Sequence, residues 1–120
     1  MLVVDDNPDA ARGLSMLLQA LGHEVRTVYD GPTALEMALA FAPEVVLLDI
    51  GLPGLDGYQV ARRLRRLANL EHVVLAAMTG YGLETDRQLA LDAGFDHHLV
   101  KPVDFARVRD ILACVAQPAP

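Results

Sequence analysis

Three apolar runs in this 120-residue chain end in charged residues. Val3-Val4 precede Asp5 and Asp6, Val45 to Leu48 precede Asp49, and Leu99-Val100 precede Lys101. Short apolar runs of this kind are typical of buried strands in a parallel sheet, and the carboxyl ends of such strands meet at one edge. We therefore expect three carboxylates beside one lysine. That combination suits a divalent metal ion bound next to an anion, and phosphate is the obvious anion.

The remaining sequence alternates strand and helix patterns that would position this cluster. We predict strands over residues 1–4, 24–29, 44–49, 73–79 and 95–100, each followed by a helix. Val25, Thr27 and Tyr29 alternate with their neighbours, which is typical of an edge strand with one wet face. The alternation of strands and helices predicts an α/β fold: a doubly wound, five-stranded parallel sheet with helices on both faces.

Capping residues and apolar spacing define the helices. We expect Asn7 and Asp104 to cap the first and last helices, and Gly22, Pro43 and Gly94 to end the first, second and fourth. The residues predicted to face the core are Leu14, Leu17, Leu18 and Leu21, then Leu35, Ala38, Leu39 and Ala42, then Val60, Leu64 and Leu67, and last Val108, Ile111, Leu112 and Val115. The arginine-rich run 62–66 is either a solvated helix face or a docking patch.

Composition narrows the classes of function. A hydrophobic fraction of 52% predicts one packed domain, and a net charge of −6 argues against general nucleic-acid binding. We find no signal peptide and no apolar stretch near the roughly 20 residues of a membrane span, so we expect a cytoplasmic protein. The single cysteine, Cys114, fits a reducing compartment. We assign residues 1–116 to the domain and 117–120 to a tail or linker, and the abrupt start predicts a domain cut from a longer protein.

Taken together and in this order, the motifs resemble the receiver domains of response regulators in two-component signalling. The likeness covers essentially the whole chain. It rests on Asp5-Asp6, the lone Asp49, the run Leu52-Pro53-Gly54-Leu55-Asp56-Gly57, Thr79-Gly80 and Lys101-Pro102. It implies a flavodoxin-like sheet with strand order 2-1-3-4-5.

The resemblance implies that Asp49 is a phosphoacceptor. A carboxylate is already ionised at neutral pH and needs no general base, but it repels an incoming phosphoryl group. Asp6, Asp49 and the backbone carbonyl of Gly51 would bind Mg²⁺, with Asp5 acting directly or through water and Mn²⁺ as an alternative ion. The metal would stabilise charge on the phosphoryl oxygens.

Further residues are assigned by the same resemblance. Lys101 would neutralise a phosphoryl oxygen, and Thr79 would hydrogen-bond another once Asp49 is modified. Gly80 would leave room for the phosphoryl group, and Gly57 would be structural. A cis peptide bond before Pro102 would aim the lysine, although sequence alone favours trans.

Two assignments concern switching and the lifetime of the modified state. Receiver domains usually carry an aromatic residue three positions before the lysine, and this chain has His98 there. We interpret His98 as the switch residue, which would make the output weakly pH-sensitive; the alternative is a partly exposed strand histidine. Tyr81 and Gly51 would tune the phosphorylation lifetime.

The resemblance also implies partners. The phosphoryl donor would be a histidine kinase or a histidine phosphotransfer protein, and the surface of the fourth helix, fifth strand and fifth helix would report the state to an output domain or partner. The segment 95–104 is similar to receivers attached to hybrid sensor kinases.

Other functions remain as alternatives. One is a Mg²⁺-dependent phosphohydrolase, although such enzymes commonly carry a second aspartate where this chain has Gly51. Another is a binding module that ignores phosphorylation, although such modules usually lack the aspartate, threonine or lysine. Flavin binding rests on fold analogy alone.

Overall fold

Five parallel strands form the centre of the molecule. This computed structural model describes residues 1–52, 54–67, 70–80, 84–101 and 103–116, with the backbone alone at 84–87 and 114–116. The strands are β1 (Leu2–Val4), β2 (Arg26–Val28), β3 (Val45–Asp49), β4 (Val74–Thr79) and β5 (His97–Val100). They pair in the order β2-β1-β3-β4-β5. The predicted fold class and strand order are confirmed.

A helix follows each strand and covers one face of the sheet. The helices are α1 (Pro8–Ala20), α2 (Gly31–Phe41), α3 (Gly57–Arg66), α4 (Glu84–Ala93) and α5 (Phe105–Ala116). Asn7 caps α1 as predicted, since its side-chain oxygen accepts hydrogen bonds from the amides of Asp9 and Ala10. Within the described residues, no helix combines the length and apolar character needed to span a bilayer.

The strand side chains divide between two cores, because successive residues of a strand point to opposite faces. Val4, Leu48 and Ala77 pack with residues of α2, α3 and α4. Val3 and Leu47 pack on the other face with residues of α1 and α5. Since β1 and β3 are buried on both sides, their carboxyl ends are held rigidly at one edge of the sheet.

Three predicted core leucines lie on the surface instead. Leu17 of α1 and Leu21, the residue that follows this helix, are 48% and 45% exposed, and Leu39 of α2 is 59% exposed. The buried positions are Ala11, Ser15 and Leu18 in α1 and Ala34 and Ala38 in α2. Apart from Leu18, these buried residues are small, and small side chains allow close packing of helix on sheet. Ala42 is also exposed, at the left-handed residue that ends α2.

Two further expectations need correction. β2 is an edge strand as predicted, but the expected alternation fails because Val28 is buried and Tyr29 is exposed. The arginine run is solvated at positions 62, 63 and 66 but not at Arg65, which hydrogen-bonds to backbone carbonyls. The predicted tail, residues 117–120, lies outside the described residues.

Candidate metal centre at the carboxyl edge of the sheet

Three aspartates from two neighbouring strands converge at the carboxyl edge. Asp5 and Asp6 follow β1, and Asp49 is the last residue of β3. One oxygen from each carboxylate lies within 4.8 Å of the others. Asp5 and Asp49 are 3% and 7% exposed, whereas Asp6 is open to solvent. Clustered carboxylate oxygens are the ligands of a hard divalent cation such as Mg²⁺, so the donor set fits the predicted ion.

Backbone amides fix the orientation of the two buried carboxylates. The amide of Asn7 donates to Asp5 Oδ1 at 2.9 Å, and the amide of Gly51 donates to Asp49 Oδ1 at 2.8 Å. Sequence reasoning assigned Gly51 for its carbonyl and its missing side chain, and it overlooked the amide. The signal was available, because an Asp side chain commonly accepts a hydrogen bond from the backbone amide two residues later, in an Asx turn.

Lys101 connects the two buried carboxylates. Its Nζ donates to Asp5 Oδ2 at 3.1 Å and to Asp49 Oδ2 at 2.8 Å. Its amide donates to the carbonyl of Thr79 at 2.7 Å, which extends the pairing of β4 with β5 to the lysine. Lys101 is the only lysine of the chain. The predicted meeting of three carboxylates and one ammonium at this edge is therefore present.

Burial and ion pairing shift two pKa values in the cluster. Burial raises the pKa of Asp5 above its ordinary value, and hydrogen bonds from Asn7 and Lys101 reduce this shift without cancelling it. Burial lowers the pKa of Lys101, but hydrogen bonds to Asp49 and Asp5 outweigh burial and leave it raised. The stabilisation that each raised group provides is complete below its ordinary pKa and is lost as the pH rises through its raised pKa. Neutral pH lies below the ordinary pKa of Lys101, so the stabilisation from Lys101 is fully present there.

The other predicted site residues take varied positions. Thr79 is buried at the end of β4, beside β3. A Cβ placed on Gly80 would meet nothing within 4 Å, so there is open space at this position. A Cβ placed on Gly57 would lie 2.7 Å from the carbonyl oxygen of Asp49 and would overlap Cα of Ile50. Gly57 therefore permits α3 to begin against the strand end that carries Asp49.

His98 is separate from the carboxylate cluster. It lies half-buried on β5, opposite Ala77 of β4. Together with Ala90, Leu91 and Arg107 it lines a cleft of about 300 Å³. Its role as a switch stays a prediction. Tyr81 and Pro102, together with the expected cis bond, lie outside the described residues.

An apolar groove beside the cluster was not anticipated. It has a volume of about 260 Å³ and is lined by Leu14 and Leu17 of α1, by Met78 and by Val103, next to Asp5 and Lys101. Leu17 was predicted to be a core residue, so its exposure beside charged residues gives α1 an apolar surface at the edge of the site. Sequence periodicity could not identify it, because an exposed leucine has the same spacing as a buried one.

Removal of Lys101 provides a test of the metal centre. We expect Lys101→Met to bind Mg²⁺ at least about tenfold more tightly at neutral pH, because the ammonium repels a cation held by the same carboxylates. Isothermal titration calorimetry would measure the change. Arg109→Gln, which removes one positive charge from the exposed surface of α5, should bind Mg²⁺ like the wild type. Unchanged or weaker binding by Lys101→Met would contradict the placement of the metal.

Comparison with known proteins agrees with this geometry. The family model of the response regulator receiver domain matches residues 1–113. The response regulator PleD of Caulobacter vibrioides is 40% identical over 115 residues, which cover 92% of this chain and 25% of PleD. The sensor histidine kinase RcsC of Salmonella typhimurium is 36% identical over 117 residues, which cover 98% of this chain and 12% of RcsC. The chain thus spans a quarter or less of the length of these curated relatives.

Solved structures of related proteins also have the same fold as this chain. The receiver domain of sensor histidine kinase PA1611 from Pseudomonas aeruginosa, described with a magnesium ion in its active-site cleft, is 34% identical. It superimposes with a TM-score of 0.87 over 97% of this chain and 96% of that one. The chemotaxis protein CheY4 of Vibrio cholerae is 26% identical, with a TM-score of 0.89 over 95% of each chain.

Proposed function

Because the chain belongs to the response regulator receiver domain family, we propose that it accepts a phosphoryl group on Asp49 in two-component signalling. The observation that carries this proposal is the meeting of three aspartates within 4.8 Å with Lys101 Nζ 2.8 Å from Asp49. Asp49, like Asp5, is oriented by two hydrogen bonds, one to each carboxylate oxygen. An oriented, ionised carboxylate is a competent nucleophile for phosphorus.

The transfer itself exchanges one bond for another. A carboxylate oxygen of Asp49 forms a bond to phosphorus while the bond between phosphorus and the donor's imidazole nitrogen breaks. The electron pair of the broken bond stays on that nitrogen, so no acid or base from this chain is required. The product is a mixed anhydride, an acyl phosphate. The protein's task is to orient Asp49 and to offset the repulsion between two anions.

The neighbouring residues provide that compensation. Asp5, Asp6, Asp49 and the carbonyl of Gly51 would hold Mg²⁺ or Mn²⁺. When bound, the metal stabilises negative charge on the transferring group. Lys101 lies close enough to Asp49 to form an ion pair with an oxygen of a phosphoryl group attached to Asp49. The hydroxyl of Thr79, at the neighbouring strand end, would hydrogen-bond another oxygen, and the open space at Gly80 would admit the group.

The donor is proposed to be a histidine kinase or a histidine phosphotransfer protein. The groove lined by Leu14, Leu17 and Val103 lies beside Asp5 and Lys101. An apolar surface next to the donor's phosphohistidine would therefore contact this groove. Leu17 and Leu21 are one helical turn apart and both are exposed. Such a pair of apolar residues beside the site would anchor a docked helix.

A charge placed on α1 tests this docking surface. We expect Leu17→Arg to lower the rate of phosphotransfer from a phosphohistidine donor at least about tenfold, because it buries a charge in an apolar contact. Labelling by acetyl phosphate, which needs no docking surface, should be unchanged. Leu39→Arg is the matched control, because this leucine is also exposed, at 59% against 48% for Leu17, but lies on α2. Equal transfer to both variants would exclude the α1 surface as the docking site.

The remaining assignments follow from the same proposal. The surface of α4, β5 and α5 would report phosphorylation to an output domain or partner, with His98 as the switch residue. A domain that is modified once and then read by a partner is a signalling element rather than a turnover enzyme. Gly51 agrees with this, because its position lacks the second carboxylate of aspartate-based phosphohydrolases. We propose the cytoplasm as the location of the reaction.

Phosphate-affinity electrophoresis after incubation with acetyl phosphate tests the proposed function. We expect a shifted band that requires Mg²⁺ and disappears when the ion is chelated. If the band is absent, a cognate phosphotransfer protein should still label the chain. Failure of both donors would contradict the proposed function and favour a binding module.

A further inference from the structure

One arginine side chain at the end of α3 forms hydrogen bonds with two other segments, residues 71–73 and 94–96. These contacts lie at the end of the sheet opposite the carboxylate cluster. Arg65 is in the last turn of α3, and its side chain is 22% exposed. Its Nε and Nη2 donate to the carbonyl of Gly94 at 3.0 and 2.6 Å, and Nη2 also donates to Asp96 Oδ2 at 2.8 Å. Its Nη1 donates to the carbonyls of Glu71 and Val73. We call this set of contacts the Arg65 clamp.

The Arg65 clamp contacts the residue that follows the C-terminal end of α4. Gly94 has a φ of +103°, and the amides of Gly94 and Phe95 donate back into the last turn of the helix, to Leu91 and Ala90. The guanidinium therefore adds a positive charge where the helix dipole is negative. A Cβ on Gly94 would lie 3.1 Å from Cγ of Arg65. Glycine thus both ends α4 and leaves room for the arginine.

Asp96 fastens the clamp to the sheet. Its Oδ2 accepts from the amide of Leu75 at 2.9 Å as well as from Arg65, and its own amide donates to the carbonyl of Leu75 at 2.8 Å. The turn between α4 and β5 is therefore bound to the beginning of β4 and to the end of α3. A planar guanidinium can hold these acceptors at once, whereas the ammonium of lysine is a single point of charge.

The packing of α4 agrees with this anchoring at its end. Among the α4 side chains that the structure describes, residues 88–93, the buried ones are Ala90 and Ala93, both 2% exposed. Leu89 and Leu91 are 46% and 62% exposed. In this half of α4, contact with the core therefore depends on two small side chains close to the Arg65 clamp.

We infer that the Arg65 clamp is the fixed pivot of α4 when the receiver changes state. The inference rests on the proposed function, in which phosphorylation acts on Thr79 at the end of β4 and the surface of α4, β5 and α5 reports it. The chain runs from Thr79 into α4, so displacement starts at the N-terminal end of this helix. The clamp holds the C-terminal end, so the helix swings about Gly94 and the turn into β5 stays in place. Arg65 is a positioning residue in this switch.

Amide hydrogen exchange with and without phosphorylation tests the pivot. The chain is labelled with acetyl phosphate and Mg²⁺, its phosphorylation is measured by intact mass, and exchange is followed in peptides covering residues 88–97. In the wild type we expect phosphorylation to change exchange there less than about twofold, because the segment is held. In Arg65→Lys, which keeps the charge but loses the planar fork, we expect phosphorylation to raise exchange at least about tenfold. Arg62→Lys, an exposed position on the same helix, should behave like the wild type.

The outcomes separate a pivot from a merely structural contact. Equal acceleration of exchange in both states of Arg65→Lys would mean that Arg65 only stabilises the turn, and would overturn the pivot. A large phosphorylation effect on residues 88–97 of the wild type would also overturn it. If Arg65→Lys does not fold, Asp96→Asn weakens one contact of the clamp and should give a smaller effect of the same sign. A wild-type chain that takes no label from acetyl phosphate or a phosphohistidine donor would overturn the proposed function and the pivot together.

Discussion

Replacing Asp49 by asparagine is expected to lower phosphorylation at least about a thousandfold, with acetyl phosphate or a phosphohistidine donor, because the neutral amide is a far weaker nucleophile than a carboxylate. The substitution conserves the shape of the side chain and its position at the end of β3. It also removes one of the three carboxylates of the metal centre, so Mg²⁺ binding should weaken. Phosphate-affinity electrophoresis at several Mg²⁺ concentrations separates the two effects, since added metal cannot restore a missing nucleophile.

Asp110→Asn is the matched control for this experiment. Asp110 is exposed on α5, and its replacement makes the same change of charge outside the site. We expect labelling of this variant at the wild-type rate. If Asp49→Asn is labelled as fast as Asp110→Asn, Asp49 is not the phosphoacceptor.

Gly57→Ala is expected to destabilise the fold by at least about 3 kcal/mol, because overpacking at a rigid backbone contact cannot relax through a side chain. The new Cβ would overlap Cα of Ile50 and lie 2.7 Å from the carbonyl oxygen of Asp49. The amide of Gly57 also donates to the carbonyl of Ile50 at 3.3 Å, so the backbone cannot move away without losing this hydrogen bond. Any folded fraction should also be phosphorylated slowly, because the strain falls on the strand end that carries Asp49.

Urea denaturation measures the loss of stability, and Gly13→Ala is the control for it. Gly13 lies inside α1, and a Cβ at this position would meet nothing within 4 Å. We expect Gly13→Ala to be about 1 kcal/mol more stable than the wild type, since alanine is favoured over glycine in helices. Equal stability of Gly57→Ala and the wild type would contradict the close contact of α3 with β3.

The carboxylate cluster could be predicted from sequence because topology alone brings its members together. Charged residues that follow buried apolar runs lie at strand ends, and parallel strands place those ends along one edge. Asp5, Asp49 and Lys101 meet for that reason, although 52 residues separate the last two. The strand order came from the resemblance rather than from periodicity. Thr79 and Gly57 also depended on the resemblance, because neither residue type alone indicates a site.

Sequence reasoning failed where the same pattern has two physical meanings. Leu17 and Leu39 have the spacing of core residues, yet both are exposed and their neighbours Leu18 and Ala38 are buried instead. The four arginines of α3 look alike in sequence, but only Arg65 reaches the carbonyl of Gly94, 29 residues further along the chain. Helical periodicity identifies the apolar face of a helix but not the residues that this face contacts. The contacts of a side chain are determined only when the helices and strands pack together.

Locating the phosphoryl group on the chain would test the central claim most directly. The chain is treated with acetyl phosphate and Mg²⁺, and in parallel with a phosphohistidine donor. The acyl phosphate is then reduced with borohydride, which converts a phosphorylated aspartate to homoserine, and the peptides are analysed by mass spectrometry. We predict homoserine at position 49 alone, and none when Mg²⁺ is chelated. A product at Asp5 or Asp6, a phosphorylated histidine, or an unmodified chain with both donors would contradict the assignment of Asp49 as the phosphoacceptor.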